Sequence, residues 1–154
     1  MIVVAILAIV AAIASPSYKS YIENTKIRNG AESIQNGLQK ARAEAVLKNA
    51  SVIFTLGANS AWTVGCVTSN ANCPAVIDER KAKDGSSNTV TVTPAAGTVT
   101  FTNLGTRATG GINQITLDNS ALTAADSREL RVTINGASVR MCDPNLAVGN
   151  LKAC

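Results

Sequence analysis

The chain opens on fourteen residues without a polar side chain, MIVVAILAIVAAIA. Such a run is shorter than the ~20 residues a helix needs to cross a hydrocarbon core. Two readings follow: the apolar part of a secretory signal, which would be removed, or the C-terminal part of a longer membrane helix that begins upstream. No lysine or arginine precedes the run and helical patterning continues past it, so the second is expected. Pro16, in Ser15-Pro16-Ser17-Tyr18, removes one backbone hydrogen bond and crowds the preceding turn, which predicts a kink or local unwinding. Beyond it Tyr18, Ile22, Thr25, Ile34, Leu38, Ala41 and Ala45 recur at spacings that fit one helical face. Lys19, Glu23, Lys26, Arg28, Glu32, Gln35, Gln39, Arg42 and Lys48 fill the remainder, and the pattern ends near Asn49. One helix over this stretch would be ~70 Å long at 1.5 Å per residue. No compact domain of this size needs it, so it must protrude, with its first third buried in lipid or among neighbouring copies.

After Asn49 the period changes to two. Residues 51–56, 62–67, 89–93, 98–102, 114–118, 129–134 and 138–142 are short Thr- and Val-rich runs that read as strands. Asn135-Gly136 between the last two is a hairpin signal, and Gly110-Gly111 and residues 69–74 and 83–88 mark loops. The predicted architecture is α+β: one long N-terminal helix packed on an antiparallel sheet, followed by a short tail.

Composition narrows the chemistry. Hydrophobic residues are 46% of the chain but aromatic residues only 3%, so the core must be built from Ala, Val, Ile and Leu. The net charge of +4 permits an anionic partner without demanding one. Histidine is absent, which removes the commonest general base and metal ligand. The carboxylates are scattered and no Gly-rich phosphate loop exists, so neither an enzyme nor a cofactor is expected. Cys66, Cys73, Cys142 and Cys154 form no C-x-x-C motif, which favours two disulfides over a four-cysteine zinc site and implies an oxidising compartment. Local pairing, Cys66 with Cys73 and Cys142 with Cys154, is the simplest of three connectivities.

The stretch MIVVAILAIVAAIASPSYKSYI resembles the part of a type IV pilin N-terminal helix that follows the prepilin processing signal, with apolar helix, Ser-Pro and Tyr in that order. That family carries a Gly-Phe cleavage site and a glutamate a few residues upstream, and neither stands in this sequence. Residues 38–46, LQKARAEAV, followed by Asn49 and the first strand, are similar to the helix end of the minor pilin and pseudopilin H group, the general secretion H and FimT/FimU type. Trp62, residues 101–105 (FTNLG) and the two closing strands add to the likeness.

The resemblance implies a structural minor pilin that helps to prime or cap a type IV pilus. Residues 1–28 would be the membrane and filament-core helix, through Ile2, Val3, Val4, Ile6, Leu7, Ile9, Val10, Ile13 and Pro16. Residues 29–154 would be a periplasmic head with a disulfide-closed tail. The subunit would sit in the inner membrane as a single-pass protein and then in the extracellular fibre. Its partners would be other major and minor pilins and the assembly machinery. A type II secretion pseudopilin and a major pilin are the alternatives within the family. A further alternative comes from members that act as DNA receptors, which carry a G-R-x-R element near the last strand. In Gly136-Ala137-Ser138-Val139-Arg140 only Arg140 matches it, the first arginine being replaced by alanine or serine. Arg140 with Arg131 and Lys152, helped by Arg107 and Arg128, would then contact phosphates of double-stranded DNA in a salt-dependent way. The plain reading of Arg140 is an exposed strand residue.

Overall fold

The computed structural model describes residues 2–84 and 86–154; within residues 2–17 it describes the backbone and, of the side chains, Val3 alone. The expected filament-core side chains Ile2, Val4, Ile6, Leu7, Ile9, Val10, Ile13 and Pro16 therefore lie outside the described residues, and Val3 is exposed. Among the described residues no helix is long and apolar enough to cross a membrane.

Helix α1 spans Ile2–Leu47, 46 residues or ~70 Å. It is one element with Pro16 inside it, so the local unwinding expected there does not divide the backbone. A single lost i→i−4 bond leaves the flanking turns in place. Its buried stripe is Glu23, Ile27, Ala31, Ile34, Leu38, Ala41 and Ala45, at steps of three and four. The sequence reading had this stripe right from Ile34 onward and wrong before it. Tyr18 is 68% exposed and Ile22 and Thr25 also face outward, while Glu23 at 8% and Ile27 at 0% face the sheets. Hydropathy alone turns Glu23 outward, and here that carboxylate holds a core position.

The helix ends in a Schellman motif. Asn49 takes the left-handed conformation at φ 48°, its N–H bonds the Val46 carbonyl, and the Ala50 N–H reaches back to Ala45. Asparagine tolerates that conformation where most residues do not.

Among the described residues eight strands follow: β1 (Val52–Leu56), β2 (Trp62–Cys66), β3 (Asp78–Arg80), β4 (Val90–Thr93), β5 (Gly97–Phe101), β6 (Gln114–Asn119), β7 (Leu130–Asn135) and β8 (Ser138–Cys142). They form two four-stranded antiparallel sheets, ordered β3-β2-β1-β5 and β4-β6-β7-β8, where the sequence suggested one. β4 and β5 are near neighbours in sequence yet pair in different sheets, so the chain crosses over between them. Strand alternation places Val52, Phe54, Leu56, Trp62, Val64, Val99 and Phe101 from the first sheet inward, and Val90, Val92, Ile115, Leu117, Val132 and Ile134 from the second. Both sets close on α1. Trp62 donates its indole N–H to Ser33 Oγ at 2.9 Å, satisfying the one polar atom this ring brings inside. Gly37 lies under Phe54 and Trp62, and a Cβ there would stand 2.9 Å from both rings.

Cys66 is bonded to Cys73 and Cys142 to Cys154. The first bridge folds the chain back so tightly that a Cβ on Gly65 would run into the Ala75 carbonyl. The second closes the tail, which returns along β8 in a parallel bridge between Asp143 and Ala153.

Candidate functional site: two poles and a basic face

β7 runs from Leu130, next to a loop that holds Asn24 of the helix, to the turn at Gly136, whose carbonyl accepts the Arg107 N–H. The loop before Arg107 is fixed to the far end of α1 by Arg42, which donates to the Gly105 carbonyl at 3.1 Å. The head thus has two poles along the helix, one at residues 23–24 and one at residues 42–49. β8 runs back from the second pole to the first, so Cys142 and the tail lie beside the point where α1 leaves the sheets.

At that first pole Glu23 is the organising group. Its carboxylate accepts from Lys26 Nζ at 2.7 Å, Asn119 Nδ2 at 2.8 Å and Thr89 Oγ1 at 3.0 Å. The Lys26 hydrogen bond holds its pKa below the usual carboxylate range; burial opposes this, and the Asn119 and Thr89 bonds reinforce it. Asn24 beside it donates to the Asp126 carbonyl and accepts from the Arg128 N–H, both at 2.8 Å. These groups join the helix to β4, to the end of β6 and to the loop before β7. The sequence reading placed Glu23 among solvent-facing residues and did not single out Asn119. A signal was present: Ile115, Leu117 and Asn119 alternate, which puts the asparagine on the core face of β6.

Arg131 and Arg140 share the outer face of the second sheet, since Val132 and Ile134 between them point inward and Arg140 lies opposite Thr133. Neither guanidinium is idle. Arg140 Nη2 donates to the carbonyls of Leu151 at 2.8 Å and Ala153 at 3.3 Å, tying the tail down. Arg131 bonds Thr116 Oγ1 at 3.2 Å and lies 3.8 Å from Glu129. Arg107 donates to Gly110 and belongs to the opposite pole, away from Arg131. Lys152 is exposed in the tail, where its carbonyl accepts the Asp143 N–H, and Arg128 is exposed beside Asn24. Arg131, Arg140 and Lys152 therefore belong to one corner of the second sheet, but Arg131 reaches toward β6 and Arg140 toward the tail, so the two guanidinium groups are held apart and engaged by the protein itself.

Exposed aliphatic groups mark both poles: Val148 and Leu151 on the tail, and Val46, Leu47 and Leu104 at the far end of the helix. Tyr18, Tyr21 and Ile22 are exposed where α1 continues past the head.

A helix whose second half is the spine of two sheets and whose first half runs on beyond them defines a pilin-like assembly subunit. The family model for type II transport protein GspH matches residues 30–138, and the chain belongs to that family. With membership comes a pilin- or pseudopilin-type role and assembly with other subunits of that kind. No curated protein and no solved structure matches the chain.

Proposed function

We propose that this protein is a structural minor subunit of a type IV pilus. It is anchored in the inner membrane by its N-terminal helix and built into the fibre through the same helix, where it helps to prime or cap growth. The observation that carries this reading is α1 itself. Its buried stripe runs from Glu23 to Ala45, while the element extends to Ile2, leaving a rod of about 30 Å for lipid or for neighbouring helices. Transfer from membrane to fibre exchanges lipid contact for helix contact, so hydrophobicity alone drives it weakly. The chain carries no nucleotide-binding loop, and the work of extraction falls to the assembly machinery.

Deleting the gene and counting fibres tests the role. A minor priming subunit gives few fibres, with the major pilin retained in the membrane, and is scarce in sheared wild-type fibres. Unchanged fibre number with exported proteins held in the periplasm supports a secretion pseudopilin instead. Abundance equal to the main fibre protein overturns the minor assignment.

The DNA-receptor reading rests on the corner formed by Arg140, Arg131 and Lys152. It is the weaker one because Arg140 already serves the tail carbonyls. A mobility-shift titration of the full chain with double-stranded DNA tests it. Salt-sensitive binding that Arg140→Ala abolishes supports a receptor; no shift at low salt removes it.

A further inference from the structure

Among the described residues the two four-stranded sheets present four edges, and three of them carry a device against pairing. β3 is three residues of charge, Asp78-Glu79-Arg80, tied to the helix through Lys40 and Asp78. β4 ends at Thr93 against Pro94, which has no N–H to offer. β5 is covered by the following loop, in which Ala108 N–H bonds Thr100 and Ile112 N–H bonds Thr98. Charge, proline and a covering loop are the devices by which sheet edges avoid unwanted pairing.

β8 carries a single charge, Arg140, and neither proline nor a covering loop along its middle. Ile134 N–H bonds Asn113, so the backbone groups of residues 132 and 134 face β6, and those of 131, 133 and 135 face β8. The partners of the latter on β8 are 142, 140 and 138. The N–H and C=O groups of Val139 and Met141 consequently point away from the sheet, and among the described residues they make no hydrogen bond. The next outward residue, Asp143, is the one that the returning tail pairs with, its N–H bonding Lys152 and its carbonyl accepting from Cys154. The edge accepts the tail at its last position, and at the two before it its N–H and C=O groups are unbonded among the described residues.

We infer that the open edge of β8 at Val139 and Met141 is a strand-addition site for an extended segment of a partner subunit, with an acidic residue set beside Arg140. Main-chain bonds to the two residues supply the affinity of such a contact. The selection for acid follows from Arg140. Its guanidinium faces the outer side next to that edge and is bound to the neutral carbonyls of Leu151 and Ala153, and among the described residues its positive charge has no carboxylate partner. A glutamate or aspartate on the added strand would complete it, and a lysine there would be repelled.

The test uses the full chain in detergent, with labelled backbone amides, titrated with short synthetic peptides of alternating threonine and valine carrying Glu or Lys at the centre. The Glu peptide should shift the Val139 and Met141 amides and bind about tenfold more tightly than the Lys peptide. Val139→Pro removes an outward N–H that β7 does not use, and should abolish the shifts while leaving the β7–β8 ladder protected from exchange. Equal affinity for the two peptides overturns the acidic partner. Absence of shifts at those amides in the wild-type chain overturns the site itself. Neither result touches the fibre assignment, which is decided by fibre counts.

Discussion

Glu23 carries a formal charge into the seam between helix and sheets, and three hydrogen bonds keep it there. Its pKa is lowered in the folded state, so folding favours the carboxylate. The stabilisation is complete above the ordinary carboxylate range, about pH 4.3, and is lost as pH falls through the lowered native value. Glu23→Gln cannot titrate, so its urea midpoint should fall less steeply on acidification than the wild type's. Asp78, lowered first by its hydrogen bond from Lys40, acts in the same direction and leaves some slope in both proteins. Parallel acid limbs would show that Glu23 is not the linked group. Glu23→Ala is harsher. It strips the nearest acceptor from Asn119, itself 2% exposed, and should cost about 1–3 kcal/mol at neutral pH in a denaturant titration. The burial of Glu23 was not legible along the helix: Lys26 is a local partner, but Thr89 and Asn119, which complete the carboxylate's bonds inside the seam, stand 66 and 96 residues away. Arg140 shows the same limit. Its strand and exposure could be read from the sequence, but the carbonyls that occupy it come from a tail whose path follows no hydrophobic pattern.

At the scale of elements, regular features were read well and irregular ones were not. Seven of the eight strands stand close to where alternation put them; the eighth, β3, is Asp-Glu-Arg and has no apolar face to announce it. The hairpin before β8 forms, but Asn135 pairs with Ser138 and the turn is centred on Gly136 and Ala137, with Gly136 at φ 57°. A glycine in the first central position is the II′ arrangement, so the asparagine belongs to the strand. Packing of helix on sheet decides the next prediction. Gly37→Ala gains up to about 1 kcal/mol of helix propensity. It also forces a methyl 2.9 Å from Phe54 and Trp62, which costs about 1–3 kcal/mol. Net destabilisation is expected, read as a melting temperature lowered by a few degrees; an unchanged or raised value would mean that the rings yield freely. For the tail, Cys154→Ser should increase amide exchange across residues 143–154 while strands β6 and β7 stay protected, since Arg140 and the Asp143 pairing alone must then hold the segment. Loss of protection in β7 would place the bridge in the core's stability instead.

For the molecule as a whole, the α+β class followed from one change of period, 3.6 before Asn49 and 2 after it, and the structure has that arrangement. The division into two sheets was not visible, because local pattern says which residues pair with a core and nothing about which strands pair with each other. The helix stripe from Ile27 to Leu38 is shared between the sheets, and that sharing lets a chain poor in aromatics bury an extended core. Glu23 and Asn24 have a consequence beyond stability. Each binds a different part of the head, the carboxylate toward β4 and β6, the amide toward the loop ahead of β7. Two adjacent attachments a hundred degrees apart around a helix leave it no freedom to swivel. The compass bearing of the head about the emerging rod is thereby set within one subunit. Wherever such rods lie side by side, the direction in which each head looks outward is decided before any neighbour arrives.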